Sequence, residues 1–233
     1  KSEGIARITF DRPKHNVFDI EMMIELNALL DTLAADDELK CVVFFGEGPS
    51  WCAGVEVGDH KPEMADEMVR VFNGIFERID KIEVPIIAGV HGACLGGGME
   101  VAIACDVIVA AKSASFGQPE IKLGLIPGWG GTQRLVRLIG LGKATELILT
   151  GDHVRAAARL GIQAAEALHA AHEYGVPEAE EHPALLEHRP EGCDRAAELR
   201  RGHPVQWKVL AHESIRPQPA ATQPEVIDRV QGR

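Results

Sequence analysis

Three short runs are apolar almost from end to end: CVVFFG (41–46), PIIAGVHG (85–92) and VIVAA (107–111). A strand with one face in water alternates apolar and polar residues. Strands apolar on both faces belong to a sheet that is covered on both sides, the usual setting of parallel strands. Longer segments at helical spacing lie between these runs. DIEMMIELNALLDTLAADD carries Ile20, Met23, Ile24, Leu26, Leu30 and Leu33 near a helical repeat, with Asp19 placed to cap it. PEMADEMVRVFNGIFERID does the same through Met64, Met68, Phe72, Ile75 and Phe76. GIARITF alternates as a strand, MEVAIACD reads as a short helix, and TQRLVRLIG and KATELILTG as further helices. EGPSWCAG and PGWGG read as loops. Strands alternating with helices predict an α/β fold around a buried sheet. No internal repeat of fixed period is present.

The character changes near residue 162. AAEALHAAHEYGVPEAEEHPALLEHRPEGCDRAAELRR is rich in Ala, Glu and His and poor in strand formers. It reads as polar-faced helices and loops. The expected division is a core over 1–161 and a C-terminal helical region over 162–233.

The net charge of −11 argues against a nucleic-acid partner, which calls for a basic face. It leaves room for a small anionic ligand, which a few lysines and backbone N–H groups can hold. Cys41, Cys52, Cys94, Cys105 and Cys193 form no Cys-x-x-Cys, and their odd number predicts reduced core thiols in a reducing compartment, the cytoplasm. No apolar run approaches the ~20 residues of a membrane span. The opening KSEGIARITF has no signal-peptide or transit composition. It also lacks an initiator Met, which leaves open a start further upstream.

Gly96, Gly97 and Gly98 separate an apolar strand from a helix that begins Met99-Glu100. Glycines at a strand-to-helix turn let a ligand oxygen approach main-chain N–H groups that have no partner within the helix. Such a place binds anions, or an oxygen that becomes anionic during a reaction. Close packing of helix on strand is the alternative. The run is not the G-x-G-x-x-G of a dinucleotide site. The phosphate-binding P-loop is also missing, because Ala144 follows Gly142-Lys143 where Ser or Thr is needed. Glu100 adds a carboxylate to an apolar segment, where an unpaired charge is costly. It is either satisfied by the helix N-terminus or kept for chemistry. Glu120 stands in a second apolar, glycine-rich stretch, ASFGQPEIKLGLIPGWGGTQ. Two such carboxyl groups can divide acid and base roles when their surroundings set their pKa values apart.

HGACLGGGMEVAIACDVIVAAKSASFGQPEIKLGLIPGWGGTQRL resembles the signature region of the enoyl-CoA hydratase/isomerase (crotonase) superfamily, as do ITFDRP near the start and WCAGVEV in the middle. The resemblance runs in matching order over about residues 4 to 161. It implies a spiral of β-β-α turns and a C-terminal helical region that mediates trimers or dimers of trimers. It implies an acyl-CoA thioester substrate and no metal, flavin or nucleotide cofactor. The thioester oxygen would sit between the N–H groups of Val55 and Gly97. Glu100 would activate water for attack at C3, and Glu120 would protonate C2. Ala53, Glu56, Val57 and Gly58 would line the path of the CoA moiety. Lys14 would lie near its phosphates, or else is a solvated loop lysine.

Both glutamates together favour hydration over the isomerase branches, which often keep one. A cyclic dienoyl-CoA substrate is kept open by HNVFDIEMM and VEVGDHKPEMADEM. An isomerase or decarboxylase using the same enolate, and a non-catalytic acyl-CoA-binding homologue, are the remaining alternatives. Val55 and Glu56 stand where Ala-Asp is common, and His91 replaces a frequent Asn and reads as a cap on its strand. Cys52 reads as a small core residue, Trp129 as a pocket or interface wall, and His169 with His172 as a solvated helix face.

Overall fold

The computed structural model describes residues 3–156 and two short strands at 209–212 and 229–230. Strand β1 (Ile5–Phe10) turns Ala6, Ile8 and Phe10 inward and leads to helix α1 (Ile20–Ala34). Asp19 caps α1, its Oδ1 accepting the Met22 N–H at 2.9 Å. The buried face of α1 runs through Met22, Met23, Leu26, Leu30 and Leu33. Ile24, expected on that face, is 48% exposed. Met22 sits one helical turn before Leu26 and takes the inward place, whereas Ile24 is rotated on past Met23.

The chain then coils through three similar passes, each visiting a large sheet and then a small one. The first is β2 (Cys41–Gly46), β3 (Ser50–Cys52) and helix α2 (Pro62–Ile79). The second is β4 (Ile86–Val90), β5 (Ala93–Leu95) and helix α3 (Gly97–Ala102). The third is β6 (Val107–Ala111) and β7 (Ser115–Gly117), followed by a 3-10 turn at Pro119–Leu123. Helices α4 (Gly131–Ile139) and α5 (Leu141–Thr150) and strand β8 (His153–Arg155) follow. This is the α/β spiral of β-β-α turns that the resemblance implied.

Two further strands, β9 (Val209–His212) and β10 (Arg229–Val230), complete the large sheet, whose order is β10-β1-β2-β4-β6-β9 with all pairs parallel. The small sheet has the order β3-β5-β7-β8, with β8 antiparallel. The reading of 162–233 as helices and loops is therefore corrected at two places. Parallel edge pairing needs only a few residues of extended backbone, and two- and four-residue segments leave no periodic signal. The rest of that region, with Cys193, His169 and His172, lies outside the described residues.

Aromatic rings join the two sheets. Phe10 of β1 meets Trp51 of β3 edge-on with centroids 5.1 Å apart, and meets Phe18 at 5.1 Å. The Trp51 indole N–H donates to the Phe44 carbonyl at 3.3 Å, so the ring is buried with its polar atom satisfied. From Phe18 the contacts continue to Phe72 at 5.9 Å and on to Trp129 at 4.6 Å. Cys41, Cys52, Cys94 and Cys105 are free and buried. Burial pushes the Cys41 and Cys52 thiols up to about 12, which keeps them protonated and unreactive.

Candidate active site

Each of the three glycines has its own reason. Gly96 turns the chain from β5 into α3 at φ +53° and ψ −128°, a backbone state that side chains rarely adopt. Its N–H donates to the Gly117 carbonyl at 2.9 Å, tying the turn to β7. A Cβ on Gly98 would come within 2.5 Å of the Cys52 carbonyl, so α3 lies directly on β3. A Cβ on Gly97 would come within 2.7 Å of Val55 Cγ2 and 3.0 Å of the Phe72 ring. Gly97 and Val55 are therefore immediate neighbours.

Val55 is held by one parallel bridge to Phe18. Phe18 donates to the Gly54 carbonyl at 2.9 Å, and Glu56 donates to the Phe18 carbonyl at 2.8 Å. In this pattern the Val55 N–H faces away from Phe18. Among the described residues, neither the Val55 nor the Gly97 N–H has an acceptor. Two adjoining residues, Val55 after β3 and Gly97 at the start of α3, thus each leave a backbone N–H without an acceptor among the described residues.

Glu100 follows one turn into the helix, with no exposed surface. Its own helix does not satisfy the carboxyl group. Oε1 accepts the N–H groups of Trp129, at 2.7 Å, and Gly131, at 2.8 Å, at the start of α4. Oε2 is buried and has no partner among the described residues. Burial raises the Glu100 carboxyl to about 7, against the two N–H bonds and the Arg134 charge, which pull it down. Arg134 itself donates to the Trp129 carbonyl at 3.0 Å. An orphan oxygen on a carboxyl group that titrates near neutrality is suited to handling a proton.

Glu120 comes from the 3-10 turn after β7. A Cβ on Gly96 would lie 3.2 Å from its Oε1, so Glu120 reaches the same turn that carries the free donors. Burial raises it to about 7. A bond from its own backbone N–H opposes the rise, and the charge on Glu100 adds to it. Two neighbouring carboxyl groups that burial raises to about 7 can divide their protons at neutral pH, one giving a proton while the other takes one.

The remaining expected residues lie around this centre. Ala53 donates its N–H to the His15 carbonyl at 2.9 Å. Glu56 accepts the Gly58 N–H at 3.2 Å and lies 3.7 Å from Arg12, so its side chain braces the 3-10 turn Val57–His60. Val57 is exposed, and Gly58 is half-buried in that turn. Lys14 is exposed on the loop after β1. His91 binds the Gly48 carbonyl through Nε2 at 2.8 Å and fixes the end of β4. Cys52 packs beneath α3. Among the described residues, no three His, Cys, Asp or Glu side chains gather as metal ligands.

Sequence reasoning missed five contributors: the N–H groups of Trp129 and Gly131, and the side chains of Arg134, Phe72 and Gln118. The signal for the first was PGWGG read as a helix start rather than a loop. Gln118 stood in plain view as the polar residue of SFGQPEI.

A family model described as "Enoyl-CoA hydratase/isomerase" matches residues 1–181. The chain is 39% identical over 170 residues to the short-chain-enoyl-CoA hydratase of Clostridium acetobutylicum, covering 70% of this chain and 65% of that one. It superposes on Pseudomonas aeruginosa DspI with a TM-score of 0.64 and 33% identity, over 76% of this chain and 65% of that one. The enoyl-CoA hydratase of Bacillus anthracis gives a TM-score of 0.63 with 34% identity, over 74% and 64%. The chain thus spans just under two thirds of the length of these relatives.

Proposed function

The chain belongs to the enoyl-CoA hydratase/isomerase family, and on that premise we propose that it adds water across the C2=C3 double bond of an enoyl-CoA thioester. One observation carries the reading: burial raises two neighbouring carboxyl groups, Glu100 and Glu120, to about 7, next to two backbone N–H groups that have no acceptor among the described residues. The thioester oxygen takes the place between the Val55 and Gly97 N–H groups. Glu100, ionised, accepts a proton from water through its free Oε2 while the water oxygen bonds to C3. The displaced electron pair moves through C2 to the thioester oxygen, where the two N–H groups meet the growing charge. One such donor is worth on the order of 10²–10³ in rate. Glu120, protonated, then delivers its proton to C2 as the enolate collapses. A proton passed from Glu100 back to Glu120 restores both groups.

Proton transfer and enolate stabilisation are within reach of two carboxyls and two amides, so the proposed reaction needs no cofactor. Ala53 to Gly58 and Lys14 remain the proposed contacts to CoA. The reading includes a homotrimer or a dimer of trimers working in the cytoplasm. Assembly into an oligomer is supported by large apolar side chains left exposed on α5 and from the 3-10 turn onward, among them Leu149 (66%), Leu123 (58%) and Ile126 (74%).

The test is product identity. Crotonyl-CoA incubated with the protein in D2O is expected to yield 3-hydroxybutyryl-CoA with one deuterium at C2. A product whose double bond has moved to C3=C4 with no water taken up would contradict hydration.

A further inference from the structure

Asn16 lies on the loop between β1 and α1 at φ +53°, in the left-handed region, and is only 2% exposed. Asparagine is among the few side chains that tolerate this backbone state. Both ends of its amide are used. Oδ1 accepts the Arg12 N–H at 2.9 Å. Nδ2 donates to the Ser50 carbonyl at 2.7 Å and the Glu47 carbonyl at 2.8 Å, with the Trp51 carbonyl further off at 3.3 Å. An amide oxygen turned toward these carbonyls would meet only acceptors, so the bonds fix which way the group points. The neighbours of Asn16 continue the contact along the same stretch of chain. The His15 carbonyl accepts the Ala53 N–H, and Phe18 bonds to Gly54 and Glu56. The exposed His15 ring adds a bond from Nδ1 to Ser50 Oγ at 2.8 Å. Residues 15–18 thus lie along residues 47–56. Asn16 holds the beginning of that stretch, and His15 and Phe18 hold the part that carries Val55. Val55 itself makes no backbone hydrogen bond among the described residues. The position of its N–H is therefore set by its neighbours.

We propose that Asn16 is a positioning residue that acts through Val55: its side chain pins the β1–α1 loop to β3 and the turn before it, and the pinned loop sets where the Val55 N–H points. The effect on the thioester oxygen rests on the hydratase reading above; the hold on residues 53–56 does not. A buried amide that spends its donors on main-chain carbonyls fixes one backbone segment against another, because leaving those groups unpaired is costly. Gly97, the other donor, is carried by α3 and does not depend on this loop. Loss of the pin therefore moves one of the two donors and leaves the other in place. A misplacement of about 1 Å, even from a change remote from the reacting atoms, can cost on the order of 10²-fold in rate.

Asn16→Gly keeps the left-handed backbone and deletes every side-chain bond. The expected result is a fall in kcat on crotonyl-CoA of about ten- to a hundredfold with KM little changed, part of what a whole oxyanion donor is worth. A residue that served the fold alone would not alter how the thioester oxygen is held, so the deciding readout is spectroscopic. Butyryl-CoA labelled with ¹³C at its carbonyl binds without reacting, and its infrared carbonyl stretch should lie at higher wavenumber in the variant than in the parent as one hydrogen bond weakens. A lower kcat with the stretch unmoved would overturn the proposal. A second measurement needs neither turnover nor ligand: hydrogen exchange at the Ala53 and Glu56 amides, the two that donate to His15 and Phe18. Both should exchange about tenfold faster or more in Asn16→Gly, while the amides that pair β1 with β2 keep the parent's rates. Should that variant not fold, Asn16→Asp is read in the same way, since it retains the acceptor and loses the donors. If the parent hydrates nothing, the hydratase reading falls, and faster exchange at these two amides still supports the pin. Unchanged exchange refutes it, whatever the parent's activity.

Discussion

At Glu100 one carboxyl oxygen is tied by two N–H groups and the other is buried with no partner among the described residues. That asymmetry bears on stability as well as on chemistry. The carboxyl is raised from an ordinary value of 4.5 to about 7. A raised carboxyl contributes its full share of stability below its unfolded value and loses it as the pH climbs through the folded one. Glu100→Gln keeps an oxygen for the Trp129 and Gly131 donors and never ionises. Its melting temperature should match the parent near pH 5 and exceed it by several degrees near pH 8, an effect on the order of 1–3 kcal/mol. Calorimetry at the two pH values checks this, and a constant difference would count against a strained carboxylate. Glu100 and Glu120 were legible because a carboxylate in an apolar stretch demands a reason. Gln118 was not, because an amide carries no such cost until its burial is seen. The donors to Glu100 were not legible either, since they are backbone groups of a distant loop.

Elements of ordinary length were read from the pattern, and the three-residue ones were not. β2, β4 and β6 are continuous apolar runs, and α1 and α2 show helical spacing over many turns. β3, β5, β7 and β8 each span three residues, too few for any period to show, and SWC was read as part of a loop. Yet these short strands place the site, because β3 carries the chain to Val55, β5 to Gly97 and β7 to Gln118 and Glu120. Their packing against α3 tolerates nothing larger than hydrogen at Gly98, where a Cβ would meet the Cys52 carbonyl at 2.5 Å and its Sγ at 2.7 Å. Gly98→Ala must push α3 off β3. Overpacking of this kind costs about 1–3 kcal/mol, to be read as a lower urea midpoint. The same shift should lower kcat, since Gly97 and Glu100 move with the helix.

Across the whole molecule, one line of rings runs from the joint between the sheets to the site: Phe10, Phe18, Phe72, Trp129. Phe10 has no exposed surface and touches Phe18, Phe44 and Trp51. Phe10→Ala should therefore cost about 3–5 kcal/mol in urea unfolding, the price of a buried ring and the cavity it leaves. The α/β class was legible from buried strands alternating with helices. The winding of the chain between two sheets followed from resemblance rather than from periodicity, because the second sheet is made of the strands too short to see. The two edge strands from beyond residue 162 were hidden by a composition that favours helices.

The central claim is that Glu100 and Glu120 work as a pair on an enoyl thioester. The direct measurement is the rate at which crotonyl-CoA loses its conjugated absorbance with the parent, with Glu100→Gln and with Glu120→Gln, side by side and at equal folded concentration. The account predicts steady hydration by the parent and a fall of about 10²–10⁴-fold in each variant. An active parent with either variant working at the parent's rate would contradict it.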